Sequence, residues 1–329
     1  MNVLVTGGAG YVGSTTVAAL RQRGTSVVVV DDLRAGHRAA LDPEVPFHET
    51  NVGDSVQMER ILCEHGIEAV VHFAAHIVVP ESVRDPQKYY FNNVVNTLGL
   101  LRAMHRAGCV RIVFSSTAAV YGVPQSRQIA EDHPTRPDNP YGHSKLFVEQ
   151  ILRSYDEAYG MRHAALRYFN AAGGSARRGE AHDPETHLIP LVLGVALGQR
   201  REVHLYGSDY ETPDGTCVRD YIHVEDLAQA HVLALDYLAG GGASQTLNLG
   251  NARGHSVREV LEVAREVTGR PIAAREVDRR PGDCPVLVAD SSRARQVLGW
   301  TPRYESLREI VESAWGWHRT HPHGYEGFR

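Results

Sequence analysis

The stretch Val3-Leu4-Val5-Thr6-Gly7-Gly8-Ala9-Gly10-Tyr11-Val12-Gly13 decides the fold of this chain. It opens with a short apolar run, which is typical of a parallel strand buried on both faces. Three glycines spaced three apart follow, and residues Ser14 to Arg23 then show helical periodicity. A strand, a glycine-rich turn and a helix in this order allow the backbone to approach a pyrophosphate, which the helix N-terminus attracts. We therefore predict a dinucleotide site at this turn.

The second predicted strand, Ser26 to Val30, ends at Asp31-Asp32. Asp31 lies 18 residues beyond the last glycine of the turn, near the spacing at which an acidic side chain binds the adenosine ribose. A carboxylate here repels a 2′-phosphate, so the pattern favours NAD over NADP. Two observations keep alternatives open, because Arg34 and Arg38 lie nearby and because Asp31 also suits the start of a turn.

Three further strands are predicted: Phe47 onwards with a turn by Asp54, Ala69 to Ala75, and Arg111 to Phe114. Alternating strands and helices predict right-handed βαβ units and a parallel sheet. Ligands bind beyond the carboxyl ends of such strands, so we expect the residues that follow them to line the site. These are Asn51 and Val52 as adenine contacts, Phe73, Ala74 and Ala75 as backbone against the cofactor, and the hydroxyls of Ser115, Ser116 and Thr117.

Two polar residues in this half have more than one interpretation. Asn93 interrupts an apolar helical stretch, and it either ties the structure together near the cofactor or lies on the helix surface. Thr117 is the best candidate to hydrogen-bond a substrate oxygen, although successive hydroxyls also suit a turn.

Tyr141 and Lys145 lie four residues apart in the stretch Asn139-Pro140-Tyr141-Gly142-His143-Ser144-Lys145. On a helix, both side chains lie on one face, about 5–6 Å apart at Cβ. A neighbouring ammonium stabilises a phenolate and lowers a pKa that is ordinarily about 10, which yields a general acid or base near neutral pH. Because the same spacing occurs in amphipathic helices without chemistry, the pair gains weight only beside a cofactor and a substrate.

Length and composition narrow the function classes. The 329 residues suit one large α/β domain or two unequal ones, and the net charge of −5 argues against a nucleic-acid-binding surface. Neither a signal peptide nor an apolar run of about 18 residues is present, so no membrane association is predicted. Cys63, Cys109, Cys217 and Cys284 lie far apart in the sequence, as expected of reduced thiols in a cytoplasmic protein.

These motifs together resemble the extended short-chain dehydrogenase/reductase family, through Gly7, Gly10, Gly13, Asp31, Ser115-Ser116-Thr117, Tyr141 and Lys145. Further segments resemble its UDP-glucose 4-epimerase branch over nearly the whole chain, namely 115–122, 139–142, 166–170, 214–224 and 280–283. The segment from Gly215 to Asp226 is the most specific of them.

The resemblance implies an α/β fold, with a doubly wound parallel sheet (Rossmann fold) and a smaller C-terminal α/β substrate-binding domain. It assigns residues 1–170 and about 218–250 to the NAD-binding domain, and residues 171–217 and 251–329 to the UDP-sugar-binding domain. It also implies a homodimer through two helices of the first domain, including the one that carries Tyr141.

The implied activity is the interconversion of UDP-glucose and UDP-galactose, by transient oxidation at sugar C4 with tightly bound NAD. Tyr141 exchanges the proton of the 4-hydroxyl, Thr117 holds the same oxygen, and Lys145 binds the nicotinamide ribose and helps to depress the Tyr141 pKa. The implied cofactor residues are Gly7, Gly10, Tyr11, Val12, Gly13, Asp31, Asp32, Leu33, Asn51, Val52, Phe73, Ala74, Ala75, Asn93, Ser115, Tyr141, Lys145 and Tyr168.

For the UDP-sugar, the resemblance implies Thr117, Tyr141, Asn170, His187, Leu188, Leu205, Tyr206, Arg219, Arg280, Asp283 and Leu287. Arg219 and Arg280 flank the diphosphate in this interpretation, while the alternative for Arg219 is a local salt bridge with Asp220. Nothing in the sequence completes a ligand set around His182 and His187, so no metal is predicted.

Several alternatives share this scaffold. Leu287 occupies the position that gates the sugar pocket, and a leucine is intermediate between the aromatic residue that narrows it and the small residue that admits an N-acetyl group. UDP-glucuronate, UDP-pentose and UDP-N-acetylglucosamine 4-epimerases are therefore alternatives. A dehydratase is disfavoured because Ala118-Ala119 stand where that family carries Asp-Glu. A non-catalytic NAD-binding sensor is a remote alternative, since Thr117, Tyr141 and Lys145 are all present.

Overall fold

The fold is that of a computed structural model, which describes residues 1–280 and 282–325. Pro281 of the 280–283 motif and residues 326–329 of the predicted second domain lie outside the described residues. The strands are β1 (Asn2–Thr6), β2 (Ser26–Asp31), β3 (Phe47–Glu49), β4 (Ala69–His72), β5 (Arg111–Thr117), β6 (Arg162–Tyr168), β7 (Asn170–Ala172), β8 (Val203–Tyr206), β9 (Val218–His223), β10 (Gln245–Leu249), β11 (Gly254–Ser256), β12 (Ala274–Val277) and β13 (Val286–Leu287).

The α-helices are α1 (Tyr11–Gln22), α2 (Ser55–Glu64), α3 (Val79–Arg84), α4 (Pro86–Tyr90), α5 (Asn96–Arg106), α6 (Pro140–Tyr159), α7 (Leu188–Ala196), α8 (Val224–Ala239), α9 (Val257–Thr268), α10 (Ser292–Leu298) and α11 (Leu307–Thr320). A π-helix, Phe91–Val95, joins α4 to α5. Among the described residues, none of the helices has both the length and the apolar character needed to cross a bilayer.

Seven parallel strands form the main sheet in the order β10-β6-β5-β4-β1-β2-β3. The chain runs outward from β1 through β2 to β3, and then returns to build β4, β5 and β6 on the other side. The strand order therefore reverses between β1 and β4, and the glycine turn follows β1 at that point. Ligands of such sheets bind at this switch, and the predicted doubly wound α/β fold is confirmed.

Both faces of the main sheet are buried, as its apolar strands predict. Along β1, Val3 and Val5 face the core formed with α1, α8 and α10, whereas Leu4 faces the core formed with α2, α5 and α6. Because side chains alternate along a strand, this short run supplies both cores at once.

The smaller, C-terminal part has its own core between α7, α9 and α11, which includes Leu193, Leu261 and Ile310. Its central strand β9 pairs with β7 and β13 in parallel and with β11 antiparallel, and β8 pairs with β12. The helix after β9, α8, packs back against α1 of the larger part. Helix α8 thereby joins the smaller part of the chain to the larger part.

Some predicted boundaries differ from those in the structure. Helix α1 begins at Tyr11 rather than Ser14, because Gly10 is extended and serves as its N-cap. Strand β5 continues through Thr117, where it pairs with β6, so the three hydroxyls belong to the strand. The turn interpretation holds for Thr117 as well, because its hydroxyl caps the 3-10 turn Ala118–Tyr121 by accepting the N–H of Ala119. Helix α7 begins at Leu188, and its N-cap is His187.

Candidate functional site

The glycine turn is shaped for a close approach of backbone and ligand. Gly7 has φ +68°, and a Cβ there would lie 2.5 Å from the nitrogen of Ala74. A Cβ at Gly13 would lie 2.2 Å from the carbonyl oxygen of Gly7, so both glycines are required by the packing of the protein itself. At Gly10 the nearest atom is that same oxygen, at 3.3 Å. The space in front of Gly10 therefore fits a pyrophosphate at the N-terminus of α1.

Asp31 ends β2 beside this turn and is buried. Its carboxylate accepts the N–H of Ala9 and the N–H of Leu33, each at 2.9 Å. Burial raises the pKa of Asp31, and the two backbone N–H groups oppose that shift. The turn interpretation of Asp31 is thus correct, and it is compatible with ribose binding because a carboxylate has about four acceptor sites.

The neighbouring charges bear on the choice of dinucleotide. The Arg34 guanidinium lies 3.3 Å from the carboxylate of Asp32, which also accepts the Asn51 side-chain amide at 3.2 Å. Arg34 and Asn51 border a cleft of about 510 Å³ that His76 also lines. The positive charge of Arg34 is already paired with Asp32, whereas the Val52 side chain lies in the core formed with α2, α5 and α6.

Beyond β4, the chain segment with Phe73, Ala74 and Ala75 is held by Asn93. The Asn93 side chain is buried; it accepts the N–H of His76 at 2.8 Å and donates to the carbonyl of His76 and to Ser144 Oγ, both at 3.0 Å. The helix-surface interpretation of Asn93 is therefore wrong. Asn93 ties the loop after β4 to α6, the helix that carries Tyr141.

The three hydroxyls of β5 do not all point to the site. Ser115 Oγ shares a 2.5 Å hydrogen bond with the Tyr168 hydroxyl. The Thr117 hydroxyl accepts the N–H of Ala119 at 3.2 Å and lies close enough to the Tyr141 phenol to lower its pKa. Ser116 Oγ instead donates to the buried carboxylate of Glu149 at 2.5 Å. The expectation that Ser116 points into the site is therefore wrong, because successive side chains of a strand point to opposite faces.

Tyr141 and Lys145 lie on α6, whose N-terminus is capped by Asn139 through the N–H of Gly142 at 2.9 Å. Lys145 is buried, and its Nζ donates to the carbonyl of Ser115 at 2.8 Å. Burial lowers the pKa of Lys145 to about 7, while the Glu149 charge acts in the opposite direction. Lys145 thus connects α6 to the end of β5.

The predicted depression of the Tyr141 pKa is wrong for the protein alone. Burial raises the pKa of Tyr141, and only the hydrogen bond with Thr117 is found to oppose this shift. Lys145 is half neutral near pH 7 and is bonded to a backbone carbonyl, so it does not supply the full positive charge that the sequence argument assumed.

A buried ion pair under the site was missed by the sequence analysis. Arg167 of β6 forks onto Glu149 of α6 at 2.6 and 2.9 Å, and it also donates to the Tyr121 hydroxyl at 2.9 Å. Tyr121 in turn donates to Asn248 of β10 at 2.7 Å. The available signal was a charged residue inside the apolar strand 162–168, since such a charge needs a partner when buried.

Downstream, Asp283 brings the two predicted diphosphate arginines together. Arg280 approaches Asp283 with two nitrogens at 3.1 Å, and Arg219 lies 3.6 Å from the same carboxylate. Asp220 instead accepts the backbone N–H groups of residues 251, 252 and 289, so a local Arg219–Asp220 salt bridge is wrong.

The other predicted substrate residues surround this group. Asn170 begins β7 and donates to the carbonyl of Asp220 at 3.0 Å. Tyr206 is exposed at the end of β8 with the Arg280 guanidinium 5.2 Å from its ring, and Leu205 before it is buried. Leu287 pairs with Arg219 in the sheet and packs near Tyr121.

His187 caps α7, directly before Leu188, but it is not alone. Its Nδ1 lies 2.7 Å from Glu180 and 3.1 Å from Glu185, and His182 lies 3.1 Å from Glu180. The statement that nothing completes a ligand set around the two histidines is therefore wrong. Glu180 and Glu185 complete a group of four possible ligands with the two histidines.

Comparisons with known proteins agree with this geometry. Residues 3–250 match the NAD dependent epimerase/dehydratase family. The UDP-glucose 4-epimerase of Halalkalibacterium halodurans is 52% identical over 327 residues, which cover 99% of this chain and 98% of that protein. The crystal structure of UDP-glucose 4-epimerase from Brucella ovis in complex with NAD is 45% identical, with a TM-score of 0.93 over 95% of this chain and 97% of that one.

A further solved structure, UDP-glucose 4-epimerase from Bifidobacterium longum in complex with NAD+ and UDP, is 40% identical. It covers 98% of this chain and 100% of its own, with a TM-score of 0.93. Because the family match spans well over half of the 329 residues, the chain belongs to the NAD dependent epimerase/dehydratase family.

Proposed function

We propose that this protein is an NAD-dependent UDP-sugar 4-epimerase that interconverts UDP-glucose and UDP-galactose. The observation that carries the proposal is the grouping of Tyr141, Thr117 and buried Lys145 at the strand ends next to the glycine turn. Its relatives with 40–52% identity over nearly full length bear the name of this activity. When bound, NAD accepts a hydride from sugar C4 and returns it.

Each residue of this group has a definite task in this proposal. The Tyr141 phenol takes the proton of the sugar 4-hydroxyl and later returns it to that oxygen, and the Thr117 hydroxyl holds the same oxygen in place. Lys145 keeps its Nζ against the Ser115 carbonyl, which leaves its other N–H bonds for the nicotinamide ribose. Asp31 receives the adenosine ribose, and the N–H groups of Tyr11 and Val12 face the pyrophosphate.

The UDP moiety is held by the C-terminal part. Arg219 and Arg280 neutralise the diphosphate, with Asn170 and the N–H of Leu188 at the start of α7 as further donors. His187 lies beside them. Leu205 and Tyr206 bind the uracil ring, Asp283 accepts from the uridine ribose, and Leu287 limits the sugar pocket. Two arginines gathered within 3.6 Å of one carboxylate support a dianionic ligand here.

The domain division that we propose is 1–170 with about 224–250 for NAD, and 171–223 with 251–329 for the UDP-sugar. The start predicted at about 218 moves to α8, because β9 pairs within the smaller sheet while α8 and β10 join the larger part. We also propose a homodimer, supported by the exposed apolar side chains Phe91, Val95 and Phe147 on neighbouring helical segments. The four free cysteines support a cytoplasmic location.

The test is incubation of the purified enzyme with a panel of UDP-sugars, with the products separated chromatographically. We expect UDP-glucose and UDP-galactose to interconvert faster than any other pair, and Tyr141→Phe to lower kcat at least 100-fold because the proton acceptor is lost. NAD content, measured after denaturation, should stay within twofold of the parent.

A faster turnover of UDP-N-acetylglucosamine or of a UDP-uronate would contradict the proposed sugar and leave the mechanism standing. Undiminished turnover in Tyr141→Phe would contradict the mechanism. No turnover of any UDP-sugar by the parent, together with full NAD content, would favour a sensor. Tyr159→Phe, at the exposed end of the same helix, serves as the matched control.

A further inference from the structure

Four side chains with metal-ligating atoms converge in the segment before α7. They are Glu180, His182, Glu185 and His187, and one ligand atom from each lies within 4.8 Å of all the others. Glu180 is buried, whereas the other three are partly buried. None of these carboxylates is used by the proton-transfer mechanism. The cluster is also distinct from a merely acidic surface patch, since two imidazoles face two carboxylates.

The distances between these atoms are close to those of a small tetrahedral site. Zinc ligands lie about 2.0–2.2 Å from the metal, so two ligands at the corners of a tetrahedron are roughly 3.3–3.6 Å apart. In the cluster, Glu180 Oε1 lies 3.1 Å from His182 Nδ1 and 2.7 Å from His187 Nδ1. Glu185 Oε1 lies 3.1 Å from His187 Nδ1, and Glu185 Oε2 lies 3.8 Å from His182 Nδ1. One ion of zinc size fits between them once the shortest separation opens by roughly 0.6 Å.

The backbone holds one of the ligands in place. Glu185 Oε1 accepts the N–H of Thr186 and the N–H of His187, each at 2.7 Å. Hydrogen bonds of this kind orient a ligating carboxylate and are typical of the second shell of metal sites. Both histidines present the same nitrogen, Nδ1, to the centre of the cluster, which leaves Nε2 of each ring available for other contacts.

Charge also favours a cation at this place. Two carboxylates close together carry two negative charges, which a single divalent ion balances. The two Nδ1 atoms approach the same oxygen of Glu180, at 3.1 and 2.7 Å.

We propose that Glu180, His182, Glu185 and His187 form a binding site for one divalent cation of the zinc class. Four protein ligands leave no open position, so the site is structural rather than catalytic. It fixes the segment that ends at the N-cap of α7. That segment lies against Tyr11, the first residue of α1, whose ring is 6.2 Å from that of His182 and whose hydroxyl donates to the Gly173 carbonyl at 2.6 Å.

The cation thereby links the start of α1, the helix after the glycine turn, to the start of α7. This inference does not depend on the proposed function, because metal content and metal spectra are measured without any substrate.

The experiment uses the full chain with its bound cofactor. The protein is dialysed against a chelator and then against metal-free buffer, zinc is added, and bound metal is measured by mass spectrometry after gel filtration. We expect about one zinc per chain and a higher melting temperature with zinc than after chelation. Cobalt in place of zinc should give the intense visible absorption of a tetrahedral site.

The variants are His182→Gln and Glu185→Gln, each of which removes one ligand at similar volume. Each should weaken zinc binding at least tenfold, and the chelator should no longer change the melting temperature. The matched control is His255→Gln, since His255 lies 3.7 Å from the single carboxylate of Glu259 outside the cluster. It should bind zinc as the parent does.

Absence of stoichiometric zinc in the parent would overturn the proposal, as would equal zinc binding by the parent and by both ligand variants. If neither variant folds, the cobalt spectrum of the parent decides: tetrahedral absorption supports the site, and a weak octahedral spectrum or none contradicts it.

Discussion

Burial and the neighbouring Thr117 shift the pKa of the Tyr141 phenol in opposite directions. Burial raises the pKa of the phenol, and the Thr117 hydroxyl counteracts it. A buried phenol gives up its proton near neutral pH only when positive charge lies beside it. The proton-transfer step proposed here therefore requires the assembled holoenzyme, because Lys145, with its pKa lowered to about 7, is only partly charged at that pH.

Lys145 itself yields a pH-dependent prediction. Its pKa is about 7 in the folded protein and about 10.4 in an unfolded chain, so between these values the unfolded state binds more protons. Above pH 10.4 Lys145 is neutral in both states and its burial costs least. As the pH falls toward 7, the free energy of unfolding decreases, because the unfolded chain takes up the proton first. Lys145→Met removes this dependence.

We expect the free energy of unfolding of the parent, relative to Lys145→Met, to rise by roughly 1 kcal/mol per pH unit between pH 7.5 and 9.5. Urea denaturation of cofactor-free protein at four pH values measures it, and Lys88→Met, which alters a half-exposed lysine, is the control. A difference that stays constant over this pH range would contradict the prediction.

At the scale of elements, α6 and β6 are joined by a charge pair that neither could bury alone. Arg167 and Glu149 are 4% and 1% exposed, and they connect β5, β6 and β10 through Ser116, Tyr121 and Asn248. Since α6 also carries Tyr141 and Lys145, this pair fixes the position of the catalytic helix on the sheet.

Removing one partner of this pair should be costly. In Glu149→Leu, the Arg167 guanidinium stays buried without its carboxylate, and we expect a loss of about 3–5 kcal/mol in the free energy of unfolding. The double variant Glu149→Leu with Arg167→Met should recover most of that loss, since no unpaired charge is left. Chemical denaturation measures both.

Glu157→Leu, at an exposed position of the same helix, should change stability by no more than about 0.5 kcal/mol. A Glu149→Leu variant as stable as this control, or a double variant no better than the single one, would refute the assigned role of the pair.

The π-helix at Phe91–Val95 is a second feature that connects elements of the larger part. It widens one turn of an otherwise regular helical run and includes buried Asn93, which holds the loop after β4 and Ser144 of α6. Single π-turns are rare in proteins as a whole, but those that occur are often found at functional sites. This one also leaves Phe91 on the outside of the helix.

For the whole molecule, the exposed apolar side chains on these helical segments bear on assembly. Phe91 is 60% exposed, Val95 48%, Phe147 40% and Leu98 37%, and Phe147 packs beside Tyr90. Exposed apolar patches of this kind mark interaction surfaces. Phe147 lies on α6, the helix with Tyr141 through which the resemblance implies a dimer.

We expect the parent to be a dimer in light scattering coupled to gel filtration, and Val95→Lys to shift it to monomers, because a charge in an apolar interface is costly to bury. Val123→Lys is the control, since Val123 is 61% exposed in the loop after β5 and lies outside these helical segments. A monomeric parent, or a Val95→Lys variant that remains fully dimeric at micromolar concentration, would argue against the proposed interface.

The sequence by itself determined the parts of this protein that depend on local chemistry. The apolar run before Gly7, the positive φ of that glycine and the lack of space for a Cβ at Gly13 follow from short stretches of chain, and so does the placement of Tyr141 and Lys145 on one helix. The alternation of strands and helices was sufficient to predict a parallel sheet, and the family resemblance implied that it is doubly wound.

The tertiary structure alone decided what joins distant stretches. It turned Ser116 away from the site, paired Glu149 with Arg167, placed Asp283 between Arg219 and Arg280, and brought Glu180 to the two histidines. The reason is physical: burial, charge pairing and pKa depend on which groups lie within a few ångströms in space, and local periodicity does not carry that information.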